Sequence, residues 1–234
     1  MLFDPILLAL TIIFMVIGMA VSARLKNRFA TYSEMPNPSR MSGKEMAEKM
    51  LRDHGIFDVK VISVDGQLTD HYNPKNKTVN LSADVYEGRN VSAAAVASHE
   101  VGHAVQHATA YTWLGLRSKL VPVVNVSSML MNVVLIAMAF FAFTLHLYNQ
   151  ALIVVIVLQG AITLFSLITL PVEFDASRRA LAWLDQTGMM RGGREHDAAK
   201  DALKWAASTY VVAALASLAT LFYFIMRFMG SRRE

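Results

Sequence analysis

His99-Glu100-Val101-Gly102-His103 sets two imidazoles and a carboxylate in an H-E-x-x-H pattern. Residues four apart share one face of a helix, so both rings can converge on a single Zn2+ through neutral ring nitrogens. Glu100, one position round the helix, can then reach a water as general base and hand the proton to a leaving amine. A catalytic zinc needs a third protein ligand and an open position. Glu173 is the expected third ligand: it follows a long apolar stretch, in Leu170-Pro171-Val172-Glu173-Phe174-Asp175-Ala176-Ser177, where an uncompensated carboxylate is costly. The plainer alternative is a carboxylate near a helix start, interacting with the dipole.

Asp175 is open to three roles: a competing ligand, an acceptor for the free ring nitrogen of His99 or His103, or half of a surface ion pair with Arg179. His107 continues the helical row, but eight residues from His99 is about 12 Å along the axis, too far to share the ion. Water attack on a carbonyl also requires a donor for the oxyanion. His71 and Tyr72 are the first candidates, with Tyr86, Tyr111 and Arg178 behind them.

The elements that must position these groups are legible in outline. Ser92 is a candidate N-cap for a helix running through His99 and His103 to about Ala108. Before it, Ser42 caps a short amphipathic helix carrying Met46, Ala47, Met50 and Leu51, and Gly55 stops it. Val59 to Val64 is expected to form a strand, Asp65-Gly66 and Asn73-Pro74-Lys75-Asn76 turns, and Val79, Leu81 and Ala83 a second, half-buried strand. As an edge, the stretch from Thr78 to Ala83 could pair with an extended peptide substrate. A helix opening at Pro171 is expected to reach about Gln186 and stop at Gly188, and another from about Asp197 to run into the last apolar stretch.

Four stretches are long enough to cross a hydrocarbon layer, which takes roughly 20 apolar residues. They are Pro5 to Val21, Val121 to Leu147 with Pro122 in its first turn, Ala151 to Leu170 closed by Pro171, and Tyr210 to Met226. His146 to Gln150 forms the tip of a hairpin between the middle two. The first stretch lacks a charged n-region and a small-x-small cleavage site, so it is expected to be a retained anchor. Arg24, Lys26 and Arg28, then Arg117 and Lys119, then Arg178 and Arg179 flank the spans and place both large polar segments in the cytoplasm. Arg227, Arg232 and Arg233 oppose that orientation, because four spans put the C-terminus outside with the N-terminus.

Composition agrees with a membrane protein. Of 234 residues 54% are hydrophobic and 17% charged, and mean hydropathy is +0.38, which excludes disorder and a purely soluble domain. There is no cysteine, hence no disulfide, thiolate metal site or thiol nucleophile. The net charge of +4 fits basic residues beside membrane spans rather than a nucleic-acid partner.

Leu68-Thr69-Asp70-His71-Tyr72-Asn73-Pro74, Val79-Asn80-Leu81-Ser82, Ser98 to Gln106 and Leu170 to Ser177 together resemble the membrane-bound zinc metallopeptidases of the bacterial YugP type, the neutral zinc metallopeptidase 2 family. The likeness covers nearly the whole chain. It implies a zinc endopeptidase of the bacterial plasma membrane with His99 and His103 as ligands, Glu100 as catalytic base and Glu173 as third ligand of one Zn2+ per chain. More distantly the chain is similar to gluzincin-like peptidases such as the HtpX group, in which an aspartate follows the ligand glutamate by four residues. Here Ser177 stands at that position, and Asp175 comes two residues after Glu173.

The expected fold is therefore a mainly α membrane protein: four transmembrane helices with a small α+β zincin-like cytoplasmic catalytic domain. Its segments are an anchor (1–23), a catalytic segment (24–119), a transmembrane hairpin (120–171), a cytoplasmic helical segment with the third ligand (172–208) and a last span with a short tail (209–234). The expected partners are peptide or protein substrates and the lipid bilayer, with a role in membrane-protein quality control. Two other functions fit the sequence less well. An intramembrane protease would need the motif helix to span, yet it carries Ser98, His99, Glu100, His103, Gln106 and His107. A non-enzymatic scaffold would need a zinc closed by four protein ligands.

Overall fold

The structure, a computed structural model, describes residues 4–140 and 147–231. Seven α-helices and three strands follow in the order α1 (Pro5–Ser33), α2 (Gly43–Asp53), β1 (Lys60–Val64), β2 (His71–Asn73), β3 (Thr78–Ser82), α3 (Ala83–Glu87), α4 (Val91–Ala108), α5 (Thr112–Phe140), α6 (Tyr148–Gln186) and α7 (Gly193–Ser231). Two compact units emerge. One comprises Met1–Ala20, Leu116–Leu170 and Thr209–Glu234, the other Val21–Gly115 and Pro171–Ser208.

In the first unit the apolar halves of α1, α5, α6 and α7 come together; these four helices are long and apolar enough to cross a membrane. Its buried cluster includes Met131, Leu152, Val155, Tyr223 and Phe224. One polar pin joins α6 to α7: the Gln159 amide donates to the Ser217 carbonyl (3.1 Å) and hydroxyl (3.0 Å), and Thr163 donates to the same carbonyl at 3.2 Å. Interhelical bonds of this kind hold spans together where apolar side chains alone give little preference over lipid. The expected hairpin tip falls partly at His146, and the C-terminal pair Arg232 and Arg233 lies beyond α7; all three are outside the described residues.

The second unit is built round α4. This helix is buried on nearly every side from Val91 to Gln106, as suits a run of alanines and valines enclosed by other elements. Met46, Met50 and Leu51 of α2 enter the same core with Val79 and Leu81 of β3 and Ala180, Leu184 and Leu203 of α6 and α7. A full capping box starts α2, with Ser42 accepting from the Glu45 amide and Glu45 accepting from the Ser42 amide. Gly55, at φ 69°, follows its end as expected.

Several expectations need correction. The apolar stretch from Pro5 to Val21 lies within a longer helix, which continues to Ser33. Pro122 lies inside α5 and Pro171 inside α6, rather than in first turns. Each proline removes one intrahelical bond, and the surrounding length keeps the helix continuous. Asn90, not Ser92, caps α4: its side chain accepts from the Ala93 amide, while Ser92 is already helical and donates to Asn90. Ala83 opens the short helix α3 instead of ending a strand.

The sheet order is β1-β3-β2, with β1 parallel and β2 antiparallel to β3. The stretch from Thr78 is therefore the central strand, hydrogen-bonded on both sides, and has no free edge to offer a peptide.

Candidate metal centre

Gly102 decides how closely the two helices of the site approach. A Cβ built there would stand 2.6 Å from the Ala176 carbonyl oxygen, so only a glycine lets α4 lie so close to α6. That contact brings Glu173 over the two histidines. The His99 and His103 rings, one turn apart, stand edge to face with centroids 4.8 Å apart. Glu173 Oε2 is 3.3 Å from His99 Nε2 and 3.5 Å from His103 Nε2. The three ligand atoms all lie within 4.8 Å of one another, and Glu173 and His103 are buried.

The surrounding bonds fix which nitrogens face inward. Gln106 Nε2 donates to the Val172 carbonyl (2.8 Å) and to Asp175 Oδ2 (2.9 Å). Both amide hydrogens being spent, its Oε1 is left to accept from His103 Nδ1 at 3.0 Å. His103 then carries its proton on Nδ1 and turns the Nε2 lone pair towards Glu173. The Ser177 hydroxyl lies 3.1 Å from His99 Nδ1, within hydrogen-bond distance of it. The inward lone pair of His103 and a carboxylate oxygen facing one another repel unless a positive charge lies between them. Burial alone would lower the His103 imidazole, but the Glu173 and Glu100 carboxylates and Gln106 outweigh it and hold its pKa above the ordinary value. These three side chains could hold a cation, and two histidines with one glutamate are a three-ligand set of the kind that leaves zinc an open position.

Glu100, also buried, accepts from the Tyr72 backbone amide at 2.9 Å, which ties the outer edge of β2 to α4. The Tyr72 hydroxyl bonds His107 Nδ1 at 2.8 Å. His107 accordingly stands apart from the three-residue cluster. His71 is exposed, its Nδ1 on the Thr69 carbonyl at 2.8 Å. Asp175 is buried, binds Arg178 and Arg179, and reaches His103 only through Gln106. The other candidates are engaged elsewhere: Lys44 lies over the Tyr86 ring, and Tyr111 donates to the Pro171 carbonyl at 3.5 Å.

A family model described as "Putative neutral zinc metallopeptidase" matches residues 7–229. The chain belongs to this family. It is also 43% identical over 211 residues, 90% of its own length and 91% of the relative's, to the "Putative membrane protease YugP" of Bacillus subtilis (strain 168). No solved structure matches. Membership of a zinc metallopeptidase family implies zinc, and the donor set of this member fits it.

Sequence reasoning missed Gln106 and Ser177 as partners of the histidines. The signal was available in the helical spacing, since Gln106 is three residues after His103 and Ser177 four after Glu173.

Proposed function

We propose that this chain is a membrane-anchored zinc endopeptidase that hydrolyses peptide bonds of membrane or misfolded proteins beside the cytoplasmic membrane surface. The observation that carries this reading is the convergence of His99, His103 and Glu173 within 4.8 Å, with Glu100 on the same helix. His99 Nε2, His103 Nε2 and a Glu173 oxygen hold Zn2+. When bound, the ion polarises the scissile carbonyl and acidifies a water. Glu100, steadied by the Tyr72 amide, takes the proton of the attacking water and delivers it to the leaving nitrogen.

Asp175 acts through Gln106 rather than as a ligand. Tyr72, whose backbone amide holds Glu100, ranks as candidate oxyanion donor ahead of His71, whose ring is turned to a backbone carbonyl. The basic residues flanking the spans support a cytoplasmic site, and α4 is not among the helices fit to span a membrane.

Glu100→Gln tests the mechanism. It should keep zinc while losing cleavage of casein or of a membrane-protein substrate. Cleavage at the wild-type rate by that variant would refute the assignment of the base.

A further inference from the structure

The second unit contains a cavity of about 390 Å³ beside the N-terminal turn of α4. Ser92 and Ala93 form part of its wall. Ser92 lies seven residues before His99, and Ala93 seven before Glu100. At about 100° per residue, seven residues return to within about 20° of the same direction, so this part of the wall lies on the helix face that carries His99 and Glu100. Its distance along the helix is about 10.5 Å. On the opposite wall Asp70 stands two residues before Tyr72, whose amide holds Glu100, or about 7 Å along an extended chain. A peptide bond placed at Glu100 would therefore have the cavity within reach of a neighbouring side chain.

The lining is amphipathic. Phe29 of α1, Leu68 of the β1–β2 loop and Val85 of α3 supply apolar wall, and half-buried Asp70 and exposed Asp84 line the same space. Lys26, exposed as Asp84 is, also borders it, so the lining carries two carboxylates to one ammonium. Asp70 is kept in place by the amide and hydroxyl of Ser82, at 2.7 and 3.1 Å. Burial pushes its carboxyl above the ordinary value despite those bonds, so a cation brought beside it relieves a desolvated charge. Leu68 holds a left-handed backbone, φ 57°, unusual for a leucine.

We propose that this cavity is a side-chain subsite of the peptidase cleft and that it takes a lysine or arginine of the substrate, with its aliphatic stem against Phe29, Leu68 and Val85 and its charged head at Asp70 and Asp84. The proposal rests on the peptidase reading and names its substrate class. The physical basis is the pairing of apolar wall with two carboxylates, that of Asp70 half-buried, which suits a long stem ending in a cation and disfavours acidic and short side chains.

Two measurements on the zinc-loaded full chain in detergent separate the subsite from the activity. Binding is measured with the Glu100→Gln variant and an alanine-based peptide carrying one lysine or, at the same place, norleucine. Cleavage is measured with the wild type on a decapeptide library read by mass spectrometry. The expected result is a lysine preference of about tenfold or more in binding and a basic residue at one fixed position beside the cut. Asp70→Asn should bring the preference close to one, Asp84→Asn should reduce it, and Lys26→Gln should strengthen lysine-peptide binding. Asp84→Asn serves as the test should Asp70→Asn fail to fold. A wild-type pocket without basic preference, a preference kept by both aspartate variants, or weaker lysine binding in Lys26→Gln would overturn the proposal. Selective binding with no cleavage of any peptide would instead refute the peptidase reading and leave the basic subsite standing.

Discussion

Gly102→Ala tests whether the helix contact sets the metal geometry. The new Cβ would meet the Ala176 carbonyl oxygen at 2.6 Å, whereas ordinary contact begins at 3.4 Å. Since the obstacle is backbone, α4 and α6 must part by about 0.8 Å at this point, and packed interiors do not absorb such a shift by side-chain motion alone. His103, one residue on, moves away from Glu173 with its helix.

Overpacking of this kind costs about 1–3 kcal/mol, partly offset by the roughly 1 kcal/mol that alanine gains over glycine within a helix. The fold should survive with a modestly lower melting temperature. Displacements near 1 Å at a reacting centre can lower rates by about 100-fold, and the same displacement loosens a three-ligand site. The assay is chelator competition for zinc, with circular dichroism to follow the fold. Gly115→Ala, where a Cβ meets nothing within 4 Å, is the control and should bind zinc as the wild type does. Wild-type zinc affinity in Gly102→Ala would show that the contact does not set the site.

Gln106→Leu removes the acceptor that orients His103 and should weaken zinc binding by about 10- to 100-fold, with Ser177→Ala weaker by about tenfold at most, both by chelator competition; unchanged affinity in both would show that these bonds do not orient the rings. Ser42→Ala breaks the capping box of α2 and should cost about 1 kcal/mol in denaturant unfolding with cleavage retained; unaltered stability would count against the cap. Burial alone would raise the Asp53 carboxyl, but the Lys49 ammonium and the Trp183 indole outweigh it and hold it below the ordinary carboxylate value. A lowered folded pKa stabilises above the unfolded value and is lost as pH falls through the folded one. Asp53→Asn should thus be less stable near neutrality and lose less stability on acidification, and parallel pH–stability curves for the two proteins would refute this.

The parts of the site that follow from local spacing were legible in the sequence. H-E-x-x-H on a helix brings His99 and His103 together by geometry alone, and Glu173 stood out because a carboxylate beside an apolar run needs a partner. The supporting bonds depend on tertiary approach. Nothing local reveals that Gly102 admits the Ala176 backbone, and hence that Gln106 meets Val172 and Asp175 and that Ser177 meets His99. The β2 strand has only three residues, without apolar alternation, and its place comes from pairing with β3. Pro122 and Pro171 misled for a related reason. A proline reads locally as a helix start, but in helices of 29 and 39 residues the loss of one bond does not end the helix.

The most direct test of the metal centre is the zinc content of monodisperse, detergent-purified wild type beside Glu173→Ala, by elemental analysis. The account predicts one zinc per wild-type chain and a sharply lower content in the variant. Full zinc retention by Glu173→Ala, or none in the wild type after reconstitution with zinc, would contradict it.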